Sequence, residues 1–253
     1  MAETVLRAER IAKAFGAHHV LSDVRFQIGS DEIVGLLGPN GSGKSTLLNI
    51  VSGFSRPNAG EILFLGKSIG GQPSHKIARQ GLVRTFQLPS MPHRMTVREV
   101  LRAGSRDGAG LLDAFIGRGS DDAEADELIE QFALKAVAHQ PASSLSGGQK
   151  KLLSIAIALR TRPKLLCLDE PTAGVHPQLR GRMVELLKAF NRRGVAMLVV
   201  EHDMHFIREL CDRCIVLDRG AIIADCAPRD LTENERVVEA YLGKSVARQK
   251  VSA

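Results

Sequence analysis

Apolar positions recur in two rhythms along this chain. Val20 to Ile28 alternates apolar with polar residues, and Glu61 to Leu65 reads as a second short strand, with Gly29-Ser30-Asp31 as a turn between strands. Ile33 to Leu37 is a continuous apolar run, the mark of a strand buried on both faces, and Thr46 to Val51 begins an apolar helix. After Gln87 the rhythm changes. Pro89 and Pro92 break the chain, and Thr96-Val97-Arg98-Glu99 then forms a capping box ahead of Val100 and Leu101. Gly104 to Ser120, rich in Gly, Arg and Asp, reads as a mobile connection, and Ala123 to Leu134 resumes helical spacing. Leu152, Leu153, Ile155, Ala156 and Leu159 mark one face of a longer helix that closes near Arg162. From Lys164 onward strands and helices alternate again: the run Lys164 to Leu168, the helix Pro177 to Phe190, the strand Val195 to Val200 and the strand Cys214 to Leu217. The pattern predicts one α/β domain over 1–253: a mostly parallel sheet, an N-terminal antiparallel β region, and a helical subdomain inserted over 88–163.

Two of the junctions carry chemistry. Gly38-Pro39-Asn40-Gly41-Ser42-Gly43-Lys44-Ser45 fits GxxxxGK[ST] and lies between the buried strand and the helix that Thr46 continues. Its glycines permit backbone angles that turn successive N–H groups inward, at the positive end of the following helix, where phosphate oxygens bind. Lys44 is expected to reach the β and γ phosphates of a nucleoside triphosphate, and Ser45 to offer its hydroxyl to Mg²⁺, a cation that prefers oxygen ligands. The second junction is Leu145-Ser146-Gly147-Gly148-Gln149, which opens the long helix with Ser146 at the N-cap and two glycines that leave the helix end bare. It is a second anion-binding terminus. The strand after that helix ends in Asp169-Glu170, and carboxylates at the edge of a parallel sheet stand where ligands bind. Asp169 is expected to hold Mg²⁺ through a coordinated water, and Glu170 to polarise the water that attacks the γ phosphate.

Composition narrows the class. At 253 residues and a formal charge of +6, the chain can bury one large core, and its positive balance suits a nucleotide site or an anionic lipid surface while being too mild to argue for nucleic acid. No uninterrupted apolar stretch of about 18 residues occurs, and Met1 to Phe15 mixes both charge signs without a signal-peptide core, so a cytoplasmic location is expected. Four cysteines suit a reducing compartment. Cys167 and Cys226 sit in or beside strands, and Cys211-x-x-Cys214 lacks the second pair that a zinc site needs, so packing is the better reading. His202 and His205 likewise lack a third ligand in sequence.

With both junctions in hand, the chain resembles the ATP-binding subunits of ATP-binding-cassette transporters, whose signature is LSGGQ. The resemblance runs from about Val5 to Gly243 and extends to further motifs. Gln87, in Arg84-Thr85-Phe86-Gln87, matches the glutamine loop that senses the γ phosphate and the metal. Ala173-Gly174-Val175-His176 matches the loop after the Walker B strand, His202 the switch histidine, and Phe15 falls where an aromatic stacks on adenine. The resemblance implies ATP and Mg²⁺ as ligands, with Glu170, His202 and Gln87 catalytic and Ser45, Gln87 and Asp169 facing the metal. It also implies that ATP lies between two chains, with the phosphate loop of one facing Ser146, Gly147, Gly148 and Gln149 of the other. Expected partners are membrane permease subunits, a second homologous ATPase and, indirectly, a substrate-binding protein; the expected place is the cytoplasmic face of the inner membrane.

Arg84 to Gln87, Glu201-His202-Asp203-Met204 and the ending Val237 to Gly243 further resemble the ATPases of branched-chain amino acid importers. Urea and short-amide importers, and the ATPase of lipopolysaccharide export, share much of that pattern. A soluble cassette acting on ribosomes or DNA repair would carry tandem cassettes or a coiled-coil insertion. His176 departs from the aspartate or asparagine common there; as the N-cap before Pro177, imidazole can cap only when neutral.

Overall fold

The computed structural model describes residues 3–87, 89–104 and 119–242, without the side chains of 119–122 and 242. Most of the expected Gly104 to Ser120 connection, Gly243 of the C-terminal motif and the basic tail from Lys244 to Ala253 lie outside them.

The chain begins with β1 (Thr4–Phe15) and β2 (His18–Gly29), which pair antiparallel, followed by β3 (Ile33–Leu37) and α1 (Lys44–Val51). Next come β4 (Ala59–Phe64), β5 (Lys67–Ser68), α2 (Ser74–Gln80) and β6 (Leu82–Arg84). Among the described residues, three α-helices lie between β6 and β7 (Leu165–Asp169): α3 (Val97–Ala103), α4 (Gly119–Gln131) and α5 (Gly147–Arg160). The remainder is α6 (Pro177–Asn191), β8 (Ala196–Val200), α7 (Met204–Leu210), β9 (Arg213–Asp218), β10 (Ala221–Cys226) and α8 (Glu235–Leu242). Short 3₁₀ turns connect some of them.

Two sheets result. One is antiparallel with strand order β2-β1-β4-β5; the other has order β10-β9-β3-β8-β7-β6 and is parallel except for the β9–β10 pair. The continuous apolar runs are explained by this second sheet, which has no wet face. In β3, Ile33 and Leu37 join the core under the helices, while Val34 and Leu36 join the core beneath the antiparallel sheet and α1. β7 divides the same way, with Leu166 and Leu168 on one side and Leu165 and Cys167 on the other, as period-two side chains must.

Helix starts follow the spacing rules. Thr96 and Glu99 form the expected capping box on α3, and Ser146 and Gln149 form a second one on α5. His176 caps α6 through its imidazole, with Pro177 at the first helical position. β1 escapes the sequence pattern because its pairing slips repeatedly and Arg10 turns to φ 49°, which breaks strict alternation. Among the described residues, no helix is long and apolar enough to cross a membrane.

Candidate functional site

The phosphate-loop segment joins β3 to α1, and its geometry demands glycine. Gly38 has φ 145°, and a Cβ there would lie 2.0 Å from the carbonyl oxygen of Leu217; Gly43 (φ 108°) caps α1. The Lys44 ammonium donates to the carbonyls of Gly38 (2.7 Å) and Pro39 (2.9 Å), so it is held over its own loop. Burial pushes the Lys44 ammonium below its usual range, and the Glu170 charge pulls the other way. Among the described residues, the hydroxyl of Ser42, also buried, has no hydrogen-bond partner.

A cavity of about 350 Å³ opens over this loop. Asn40, Gly41, Ser42, Gly43, Lys44, Ser45 and Thr46 form its floor, and Gln87, Asp169, Glu170 and His202 stand along its walls. Residues from the loop, from β7 and from the two turns after β6 and β8 therefore converge on one space. A larger groove, about 1040 Å³, lies between β1, β2 and Arg213; its walls are ion pairs such as Arg213 with Glu32 and Asp225, and it contains none of the expected site residues.

The three expected catalytic residues touch. Gln87 Nε2 donates to Glu170 Oε2 at 2.6 Å, and His202 Nε2 lies 3.3 Å from Glu170 Oε1. Glu170 holds φ 47°, a left-handed angle rare outside glycine and asparagine, which turns it out of the strand just after Asp169. Behind them Glu201, 3 % exposed, accepts from the Thr172 amide (2.7 Å), the Thr172 hydroxyl (2.6 Å) and the His202 amide (3.0 Å), fixing the turns that carry Glu170 and His202.

Asp169 is paired in a way its spacing did not foretell. Arg84 Nη2 donates to Asp169 Oδ2 at 2.9 Å, while Nη1 donates to Asn49 Oδ1 (2.6 Å) on α1 and to Oγ of Ser52 (3.1 Å), which caps its C-terminal end. One guanidinium thus ties the helix behind the phosphate loop to the end of β7, and the exposed edge-to-face pair Phe54–Phe86 lies over it. The sequence singled out Arg84 only as part of a motif. Three further residues, to which the sequence assigned no place at the site, meet this region: His18 and Val20 line the cavity, and the Tyr241 hydroxyl accepts from the Gly38 amide at 2.8 Å.

Other expected residues stand apart. Phe15, 57 % exposed at the end of β1, does not line the cavity but pairs across the hairpin with His18, which does; Lys13 Nζ sits 4.9 Å from its ring. Ser146, Gly147, Gly148 and Gln149 open α5 and do not line the cavity either. The Gln149 side chain accepts from the Ser146 amide at 3.0 Å, so capping accounts for that residue. Gly148 is required by packing, since a Cβ would meet the Gly174 carbonyl at 2.4 Å. Burial raises the thiols of Cys167 and Cys214 to about 12, as suits packing residues. Among the described residues, no group of three or more His, Cys, Asp or Glu could hold a metal.

Comparison with known proteins agrees with this geometry. Residues 21–173 match the family described as ABC transporter. The chain is 38 % identical over 245 residues to the "Probable branched-chain amino acid transport ATP-binding protein LivG" of Archaeoglobus fulgidus, covering 94 % of this chain and 95 % of the other. It is 35 % identical over 241 residues to the "Lipopolysaccharide export system ATP-binding protein LptB" of Haemophilus influenzae, covering 95 % and 98 %. Among solved structures, a nucleotide-free ATP-binding cassette from an ABC transporter superposes with a TM-score of 0.82 at 32 % identity, covering 95 % of this chain and all of that one. A dimeric ATP-binding cassette in a post-hydrolysis state, bound to ADP and Pi, gives 0.75 at 26 % identity, covering 88 % and 99 %. A phosphate loop facing two edge carboxylates, together with a family match over more than half the chain, establishes that the protein belongs to the ABC transporter family and is one of its ATP-hydrolysing subunits.

Proposed function

We propose that this chain powers an importer of branched-chain amino acids or similar small amino-acid-like solutes, from the cytoplasmic face of the inner membrane. The observation that carries the catalytic part is the contact of Glu170 with both Gln87 and His202 at the mouth of the phosphate loop. The inward-facing amides of Gly41 to Thr46 cradle the ATP phosphates, and Lys44 leaves the carbonyls of Gly38 and Pro39 to meet the β and γ oxygens. Glu170 accepts the proton of the attacking water. His202 and Gln87 hold its two oxygens and so fix which lone pair faces that water. Phe15 or the neighbouring His18 supports the adenine. The Ser45 hydroxyl, the Asp169 carboxylate and the Gln87 amide offer the oxygen donors that a hard divalent cation prefers, in one cavity, so the residues fit Mg²⁺. When bound, Mg²⁺ neutralises the charge that builds on the β and γ phosphates.

The helical segment 88–163 is the subdomain that meets the permease, and Ser146 to Gln149 complete the ATP site of a neighbouring cassette. A homologous but different ATPase is the expected neighbour in an importer. A second reading, an export ATPase acting as two identical copies, is favoured by the match to the lipopolysaccharide export relative. Purification of the chain with its native partners separates them. Recovery with a second ATPase, two permeases and a solute-binding protein supports import; two copies of this chain with no other ATPase contradict it. In the same preparation Lys44→Ala should weaken MgATP binding at least tenfold, the effect of deleting a charged hydrogen-bond donor to phosphate.

A further inference from the structure

Lys151 lies one turn inside α5, and its side chain is 1 % exposed. Packing alone calls for an apolar residue there, because an ammonium withdrawn from water is tolerated only where acceptors and opposite charge replace hydration. Both are present. Lys151 Nζ donates to the carbonyl of Gln87 at 2.7 Å and to the carbonyl of Asp169 at 3.4 Å. Burial lowers the ammonium pKa, and the charges of Asp169, Glu170 and Glu201 oppose that shift. Neither acceptor belongs to α5: one is in the turn after β6, the other at the end of β7.

The consequence is a chain of contacts that starts at the LSGGQ terminus. Ser146 caps α5, Lys151 on the same helix holds the Gln87 backbone, and the Gln87 side chain holds Glu170 Oε2 at 2.6 Å. Lys151 itself does not line the cavity. We propose that Lys151 is a positioning residue that locks the Gln87 turn to the α5 helix of the same chain, so that the orientation α5 takes on a neighbouring nucleotide sets where Gln87 stands against Glu170. This inference rests on the reading that each ATP lies between two cassettes. It gives one chain a physical link from the site it completes to the site it owns, through a bond that a tilt of α5 must stretch or carry along.

The test compares Lys151→Met, equal in length but without donors, with Lys151→Arg in the full assembled complex. We measure MgATP affinity with a fluorescent analogue, kcat and KM for hydrolysis, and the Hill coefficient. In K151M kcat should fall about tenfold, the loss expected for one hydrogen bond from a charged donor. KM and analogue affinity should stay within twofold, and the Hill coefficient should drop toward 1. K151R, which keeps the charge and the donors, should recover cooperativity. If K151M yields no folded complex, Lys151→Leu, which also lacks donors, carries the same comparison. A cooperative wild type whose variants are equally cooperative would overturn the inference alone, as would a parallel loss of affinity and kcat, the mark of a merely structural residue. A wild type that hydrolyses ATP without cooperativity would overturn the two-chain reading and this link with it.

Discussion

Replacing Tyr241 by phenylalanine removes a single oxygen, 203 residues away in sequence from the glycine it holds. That oxygen accepts from the Gly38 amide at 2.8 Å, and the carbonyl of the same glycine accepts from Lys44 Nζ at 2.7 Å. The C-terminal helix and Lys44 are therefore joined through one residue packed so closely against β9 that a Cβ on it would lie 2.0 Å from the Leu217 carbonyl oxygen. A buried amide left without an acceptor costs about 1–3 kcal/mol. Tyr241 is 42 % exposed, so water reaches the vacated position and the loss should lie at the low end, about 1 kcal/mol. For a chain of this size that amounts to a fall in Tm of about 2–4 °C. Misalignment of the Gly38 peptide should also lower the fraction of loops that receive phosphate, weakening MgATP binding by about twofold to fivefold. Calorimetry at pH 7, paired with titration of an ATP analogue, reads both effects. Burial raises the Tyr241 phenol above its usual 10.0, against the lowering effect of the Gly38 amide. Its protonated form thus adds stability that is complete below about pH 10 and is lost as pH rises through the raised value. Tyr241→Phe should erase that alkaline loss. Equal Tm and equal affinity in the two proteins would refute the link.

Two other substitutions test the frame around the site. Arg213→Met removes contacts of 2.6 Å to Glu32, where both side chains are about three-quarters buried, and of 2.7 Å to the more exposed Asp225, and should cost about 1–3 kcal/mol at pH 7 in urea unfolding. Burial pushes the Glu32 carboxyl up, but its bonds to Arg213 and the Gly29 amide outweigh this and hold it below 4.5. Stability from Glu32 is therefore present above pH 4.5 and lost as pH falls through the depressed value; the variant should lack this acid dependence, and a parallel acid limb would count against the pair. His176→Asp replaces a long 3.4 Å cap from imidazole to the Gln178 amide with a carboxylate at a positive helix end, and should raise stability by about 0.5–1 kcal/mol. An unchanged or lower Tm would show that the imidazole caps as well as a carboxylate does.

What the sequence could express was local. Eight consecutive residues carry the phosphate loop, and pairs three apart carry both capping boxes, so their meaning survives without tertiary information. The same holds for Asp169-Glu170, placed at a sheet edge by the apolar run before it. Contacts across long separations left no such trace. Arg84 stood out as part of a motif, yet its partner Asp169 lies 85 positions on, and nothing in the linear pattern pairs them. Lys150 and Lys151 are adjacent lysines that nothing in the linear pattern tells apart. Only the fold turns Lys151 inward to the Gln87 carbonyl. The short elements α2 and α7, of 7 residues each, offer too few turns for periodicity to emerge, and β1 loses its alternation at its bulges. Phe15, expected from the resemblance to stack on adenine, meets the cavity only through its hairpin neighbour His18, a pairing the linear pattern does not carry.

Glu170 is the group on which the catalytic account turns, held by Gln87 at 2.6 Å and His202 at 3.3 Å over the phosphate loop. Glu170→Gln keeps the shape and a hydrogen-bonding end but cannot take a proton from water. Steady-state release of phosphate from MgATP, measured beside equilibrium ATP binding on the same preparation, tests it most directly. The account predicts a fall in turnover of about 10² to 10⁴ with ATP affinity retained and an ATP-bound dimer that persists on gel filtration. Turnover within a few fold of wild type would contradict the assignment of Glu170 as the base.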